Sequence, residues 1–181
     1  HGVIELSRAF VTEAYQKTYN VLLLLLRGVA RIIHQQTRCR YVIGTTSLSA
    51  HLYSDSILKI VGRFVDLSAQ KHKEPILSPI DPYRPTDLHW ALENCITRSS
   101  SFEEIETLIS SALHCTLKLP SLIHAYERVG AKVLGTSFDP DYGGSLDVLT
   151  CWDLAKDFGP QLKVYFEELY EEAKEQFSLL L

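Results

Sequence analysis

The chain contains no methionine among its 181 residues, and several other common features are missing. Its longest uninterrupted apolar run is residues 21–26, whereas a membrane-spanning helix needs roughly 20 predominantly apolar residues. The four cysteines form no C-x-x-C pair, which excludes a zinc ribbon and a thioredoxin-like motif. We therefore expect no membrane span, and we expect a reducing, intracellular location, either cytoplasmic or nuclear.

Motifs that mark common enzyme classes are also missing. The sequence has no Walker A motif, no G-x-G-x-x-G, no G-x-S-x-G and no H-E-x-x-H. We therefore expect no catalytic residues and favour a non-enzymatic protein. The absence of an initiator methionine predicts that the chain is a piece excised from a longer protein, so active residues can lie outside it.

Charge is distributed unevenly along the chain. Residues 1–73 carry ten Lys or Arg and four Asp or Glu, which gives +6, whereas residues 133–181 carry three and ten, which gives −7. Antiparallel packing of the two ends would neutralise both, and this is the interpretation we favour. The alternative is a bipolar surface that selects a charged partner. Nucleic acid is disfavoured as a partner because the net charge is −4 and the arginines lack interleaved aromatics.

Composition and periodicity together predict an all-α fold. The 46% hydrophobic and 22% charged content is that of a globular protein. Residues 11–33 place apolar side chains at alternating spacings of four and three, and residues 21–26 are apolar on several sides. We therefore expect a single-domain bundle of six or seven helices, covering residues 1–181, around this apolar N-terminal helix.

Helical spacing, caps and breakers set the boundaries of the other elements. Residues 41–47 are β-branched and suit a short strand or an extended link. The proline-rich loop 71–85 excludes a continuous helix, and its interleaved apolar residues predict that it lies on the core; a docking segment is the alternative. The predicted helices are 7–34, 48–70 (with a possible break at Ser54), 87–97, 101–119, 122–134, 145–158 and 161–181.

One stretch, residues 139–150 with the sequence DPDYGGSLDVLT, resembles a degenerate EF-hand calcium loop. Asp139 and Asp141 stand at the first and third positions, Gly144 at the sixth and Asp147 at the ninth. The seventh position is Ser145. The resemblance implies calcium bound by Asp139, Asp141, Ser145 and Asp147 between two helices.

Two positions depart from that pattern. Gly143 at the fifth position has no side-chain oxygen, and Thr150 at the twelfth cannot supply a bidentate carboxylate. We therefore favour an Asx/Gly turn with Ser145 as a helix N-cap and no bound cofactor, with calcium binding as the alternative. Asp147, Asp153 and Asp157 are also predicted to lie near one another on the following helix, most simply as a solvated face.

Three functional hypotheses remain open. The first is a protein–protein interaction or scaffold domain of a larger protein, favoured by the missing chemistry and the charge polarity. The second is a helical pocket for an apolar small molecule or lipid, lined by some of the nine tyrosines and two tryptophans. The third is an enzyme that uses His with Cys or Asp side chains, such as His114 or His124 paired with a cysteine in space.

Overall fold

The computed structural model describes residues 2–7, 9–16, 18, 20–71, 77–141 and 143–181. Within them the chain folds as a mixed α/β protein, so the predicted all-α bundle is wrong. The strands are β1 (Gly2–Leu6), β2 (Cys39–Ser49), β3 (Lys132–Asp139) and β4 (Ser145–Asp153). The helices are α1 (Val21–Gln35), α2 (Asp55–Gln70), α3 (Trp90–Arg98), α4 (Phe102–Ala112), α5 (Ser121–Arg128), α6 (Lys163–Phe166) and α7 (Tyr170–Ser178). Short 3-10 turns occupy Glu13–Tyr15, Pro160–Leu162 and Glu167–Leu169.

The described strands form one sheet in the order β1-β2-β4-β3. β1 and β2 are parallel, with Val3 beside Tyr41. β2 and β4 run antiparallel, because Ala50 N–H donates to the carbonyl of Gly144 at 2.8 Å while Leu154 N–H donates to that of Arg40 at 2.8 Å. Residues 140–144 link β3 to β4. A link this short can join only antiparallel strands, so β3 and β4 form a hairpin.

The predicted helix 145–158 is wrong, because Ser145–Asp153 form β4 and the burial of residues 146–150 alternates with the period of a strand. Leu146, Val148 and Thr150 are buried while the residues between them are partly exposed. A period of two places alternate side chains on one face of a sheet, and β4 lies between two other strands. The β-branched run predicted as a strand or link is confirmed as a strand, since it forms the middle of β2.

The predicted helix 122–134 is also wrong beyond its first half. α5 ends at Arg128 and β3 begins at Lys132. Gly130 between them has a φ of +85°, a conformation that glycine adopts at no steric cost and that a continuing helix cannot contain. The Val133–Leu134 pair therefore opens a strand rather than closing a helix.

Other helix boundaries follow the expected local signals more closely. α2 begins directly after Ser54, where a break was predicted. Half of the predicted capping box of α4 is present: Ser101 Oγ accepts the backbone N–H of Glu104 at 3.2 Å, whereas the Glu104 carboxylate accepts the N–H of Ser100 at 2.7 Å. The N-terminal helix begins at Val21 rather than at residue 7, and Asn20 ahead of it has a φ of +66°. The last predicted helix is interrupted at Glu167, where φ is +50°.

The chain divides into two compact units. One consists of residues 1–44, 128–131 and 151–181, and the other of residues 45–127 and 132–150. The division falls within β2 and within β4. The prediction of one domain over residues 1–181 stays a prediction.

Each unit has its own apolar core. In the first unit, the buried side chains include Ile33, Trp152, Leu162, Phe166 and Phe177. Helices α2 and α4 supply most of the core of the second unit, which includes Leu48, Phe64, Ile105, Ile123 and Val148.

The N-terminal helix is not the centre of a bundle. In α1 only Ala30 and Ile33 are buried, and Leu24 and Leu25 are exposed. The helix packs along α6, and its other side faces solvent. A single neighbouring helix buries one stripe of α1. The apolar residues on the other sides of 21–26 therefore did not indicate a central position.

The predicted charge pairing of the two chain ends is confirmed, but its direction is wrong. Arg27 binds Glu167 at 2.9 Å, Arg31 binds Glu168 at 3.2 Å, and His34 lies 3.6 Å from Glu172. Residue numbers rise together on both sides of this series, so α1 runs parallel to the segment it pairs with, rather than antiparallel.

Candidate interaction surface

The outer face of α1 carries exposed apolar side chains. We define it by Leu24, Leu25, Gly28 and Ile32; Leu24 is 60% exposed and Ile32 is 56% exposed. Residues four apart lie one above another on a helix, so Leu24, Gly28 and Ile32 form a stripe about 12 Å long. Large exposed side chains that cluster in this way mark interaction sites, unlike single apolar residues.

Gly28 makes a notch in the middle of this stripe. A methyl group at Gly28 would meet no atom within 4 Å, so none of the described residues fills the space directly above the backbone there. Glycine in a helix interior costs roughly 1 kcal/mol relative to alanine. A gap of this kind lets the side chain of an approaching partner come close to the helix backbone.

Ion pairs and buried side chains hold α1 with this face outward. Ala30 and Ile33 lie in the core of their unit, on the opposite side of the helix. Arg27 Nε donates to the carbonyl of Val164 at 3.1 Å, in addition to its pair with Glu167. The contacts on one side are thus fixed, and rotation of the helix to bury Leu24 would break them.

The residues predicted to bind calcium lie in the hairpin between β3 and β4. Asp139 ends β3, and its Oδ1 accepts the backbone N–H of Asp141 at 2.9 Å. Ser145 begins β4 and donates to Asp147 Oδ1 at 3.3 Å. The predicted Asx turn is therefore present. The prediction that Ser145 caps a helix is wrong.

The helix-flanked geometry of an EF-hand is also wrong for residues 139–150, because strands lie on both sides. Gly143 and Gly144 form the tight turn, with φ of +70° and +67°, and Tyr142 lies outside the described residues. In the part of the chain that is described, no three His, Cys, Asp or Glu side chains come together as a metal site would require. Calcium binding by these residues stays a prediction.

Asp153 does not belong to an acidic helix face. It is buried at the end of β4, where Arg40 donates to both of its oxygens at 3.0 Å. Burial alone would raise the pKa of Asp153, but the hydrogen bonds from Arg40 and from the Ala155 backbone outweigh it and lower that pKa. Its role is to tie β2 to β4 within one unit.

One buried polar cluster was not predicted from the sequence. Glu106 in α4 is buried and accepts hydrogen bonds from the backbone N–H of Leu119 at 2.6 Å and from Lys118 Nζ at 3.3 Å; its Oε1 lies 2.9 Å from His124 Nε2. Burial would raise the pKa of Glu106, yet the hydrogen bonds from Leu119, His124 and Lys118 lower it. The missed signal was a charged residue on the apolar stripe of Phe102 and Ile109.

This cluster gives the enzyme hypothesis its nearest structural counterpart. A carboxylate that contacts a histidine is part of many acid–base sites. Here the carboxylate also binds a backbone amide and a lysine, so it fastens the segment before α5 onto α4. His124, one of the two histidines singled out, therefore meets Glu106; His114 has a φ of +51° at the end of α4.

Two of the four cysteines and one of the two tryptophans are exposed, and the others are buried. Each of the four cysteines, all within the described residues, keeps a thiol rather than a disulfide; Cys39 and Cys151 are buried, and Cys95 and Cys115 are exposed. Trp152 packs in a core against Phe166, with ring centroids 6.5 Å apart, whereas Trp90 is exposed. The apolar small-molecule pocket stays a prediction.

Comparison with protein-family models, with curated proteins and with solved structures finds no match to this chain. Within the described residues, no helix has both the length and the apolar character required to cross a membrane.

Proposed function

We propose that this chain is a non-enzymatic protein–protein interaction domain, and that its docking surface is the outer face of α1. The observation that carries the proposal is the exposure of Leu24 and Ile32 on a helix whose opposite side is firmly fixed. Full burial of one such side chain contributes roughly 1.5–3 kcal/mol, so a few of them can dominate the free energy of association.

The shape of this surface suits a helical partner. A straight stripe with a glycine notch at its centre accepts the ridge of a second helix, and the largest partner side chain would sit over Gly28. Helix-in-groove recognition uses apolar anchors at spacings of three and four. We therefore propose an amphipathic helix of another protein as the occupant.

The four cysteines support a proposal about location. Two of the thiols, Cys95 and Cys115, are exposed, and exposed thiols persist most readily where glutathione and thioredoxin keep them reduced. We propose that the domain works in a reducing intracellular compartment.

Site-specific photo-cross-linking tests the docking surface. A benzophenone side chain placed at position 24 should yield one discrete adduct in cells of the source organism, and Ile32→Glu should remove it. The same group at position 52 is the matched control, because Leu52 is 80% exposed but lies on the other compact unit. The proposal fails if position 24 gives no adduct, or if positions 24 and 52 give the same one.

A further inference from the structure

Residues 79–83, which we call the edge segment, lie against the outer edge of β3 and bend at Ile80 and Asp81. Tyr83 N–H donates to the carbonyl of Thr136 at 2.8 Å, and Thr136 Oγ1 donates to the carbonyl of Tyr83 at 3.3 Å. Pro82 pairs with Ser137 as an isolated antiparallel bridge. Of the interleaved apolar residues from which we predicted that the proline-rich loop lies on the core, Tyr83 packs against the core, whereas Leu77 and Ile80 are exposed; residues 72–76 lie outside the described residues.

Two glycines form the floor beneath the edge segment. A Cβ added at Gly135 would stand 2.9 Å from Pro79 Cδ, and a Cβ added at Gly62 would stand 2.9 Å from two atoms of the Tyr83 ring. Real Cβ atoms do not approach other heavy atoms so closely. The pyrrolidine ring and the phenol ring thus rest on bare backbone, in two seats that a side chain would close.

The edge segment is held at few points. Ile80, between the two seated rings, is fully exposed and adds no buried apolar surface. Pro79 and Pro82 have no N–H to donate to the edge of β3. Tyr83 supplies the largest contact, since its ring also lies 5.8 Å from the ring of Phe138. Attachment therefore depends on two seated rings and a short stretch of backbone pairing.

We propose that the outer edge of β3 is a peptide-binding groove that the edge segment fills in cis. Its ligand class is a peptide with a proline and, four residues later, an aromatic residue, bent between them as the edge segment is bent at Ile80 and Asp81. The aromatic end of such a peptide would pair with β3 through backbone hydrogen bonds, while the two seats provide specificity. The groove belongs to the other compact unit and does not depend on the function proposed for the outer face of α1.

Because the edge segment fills the groove in cis, it has to be displaced before binding of a free peptide can be measured. A segment tethered to the same chain competes at an effective concentration in the millimolar range. A free peptide of ordinary affinity would therefore bind the intact chain poorly. Removal of the Tyr83 ring should empty the seat above Gly62 and weaken the attachment of the edge segment, which then depends on Pro79 and the backbone pairing alone.

The test uses a fluorescein-labelled peptide of residues 77–86, LSPIDPYRPT, and the full chain with Tyr83→Ala. Fluorescence anisotropy should show binding at least tenfold tighter to Tyr83→Ala than to the unsubstituted chain. The same peptide with alanine in place of its tyrosine should bind at least tenfold more weakly. A second site change, Gly62→Ala in the Tyr83→Ala chain, is the matched control, because it closes the seat without a clash within the chain.

The outcomes separate the proposal from a purely structural role of the edge segment. Peptide binding that Gly62→Ala reduces tenfold or more, at an unchanged cooperative melt, supports the groove. The proposal is overturned if the Tyr83→Ala chain folds but does not bind the peptide. It is also overturned if Gly62→Ala leaves peptide binding unchanged.

Hydrogen exchange in the unsubstituted chain keeps the proposal testable if Tyr83→Ala does not fold. Local opening of the edge segment predicts that the amide of Tyr83 exchanges at least a hundredfold faster than the amide of Val148 in the central strand β4. Equal protection of the two amides would overturn the proposal.

Discussion

Arg40 binds Asp153 through two parallel hydrogen bonds of 3.0 Å each, and both side chains are largely withdrawn from solvent. A third donor of the same guanidinium, Nη1, reaches the carbonyl of Leu180 at 3.0 Å. A single arginine therefore joins β2, β4 and the C-terminal residues of one unit. Bidentate pairs of this kind fix geometry as well as charge.

Removal of one partner from this pair should destabilise the fold strongly. Arg40→Met leaves the carboxylate of Asp153 buried without its counter-charge, and we expect the free energy of unfolding in urea to fall by about 3–5 kcal/mol. The double variant Arg40→Met with Asp153→Leu should recover most of this loss, because no buried charge remains. Additive losses in the double variant would show that the two residues act independently.

The same pair predicts how stability depends on pH. The pKa of Asp153 is lowered in the folded state, so its contribution is present above the unfolded pKa of about 3.9 and is lost as pH falls through the lower folded pKa. We expect a series of urea melts from pH 7 to pH 2 to lose stability in that window, and Asp153→Asn to flatten the loss. An equally steep loss in Asp153→Asn would assign it to other carboxyl groups.

Glu106 should behave as an anchor for the segment before α5. Glu106→Gln keeps the shape but weakens the charge-assisted bonds from Leu119 and Lys118, and we expect a loss of about 1–3 kcal/mol at pH 7. Because the pKa of Glu106 is lowered in the folded state, the loss should shrink below pH 4. A difference that is constant from pH 7 to pH 3 would contradict this role.

A charged substitution should affect stability very differently on the two sides of α1. Leu24→Asp places a carboxylate in solvent, and we expect a change within about 0.5 kcal/mol in thermal or urea unfolding. Ile33→Asp buries an unpaired charge in the core and should abolish cooperative unfolding. If Leu24→Asp is as damaging as Ile33→Asp, α1 is not oriented as described.

Calcium binding has a direct thermal test. A ligand that binds only the folded state must raise the melting temperature. With strands on both sides of residues 139–150, we expect the same melting temperature in EDTA and in millimolar calcium. A rise with calcium but not with magnesium, removed by Asp139→Asn with Asp141→Asn, would establish the site after all.

Local signals in the sequence predicted local structure well. Ser101 and Glu104 marked the start of α4, Ser54 marked that of α2, and the β-branched residues of β2 indicated an extended segment. These features depend on neighbours within a few residues, where capping and steric preferences decide the outcome.

The sheet itself could not be predicted in the same way. β3 and β4 contain short apolar runs that fit a buried strand or a buried helix equally well, and pairing with β2 decides between them. The contact between Glu106 and His124 joins residues 18 positions apart and has no periodic signature. The exposure of Leu24 likewise depends on which side of α1 meets α6, and apolarity alone does not reveal it.

The notch at Gly28 offers the most direct test of the docking surface. Once the partner cross-linked at position 24 has been identified and expressed, its affinity can be measured by titration calorimetry against the unsubstituted chain, Gly28→Leu and Leu52→Glu. Because a Cβ at position 28 would meet no atom of the described residues within 4 Å, and leucine favours a helix more than glycine does, Gly28→Leu should melt at the same or a higher temperature. We expect it nevertheless to bind at least tenfold more weakly, with Leu52→Glu unchanged. Equal affinity of Gly28→Leu and the unsubstituted chain would contradict docking on the outer face of α1.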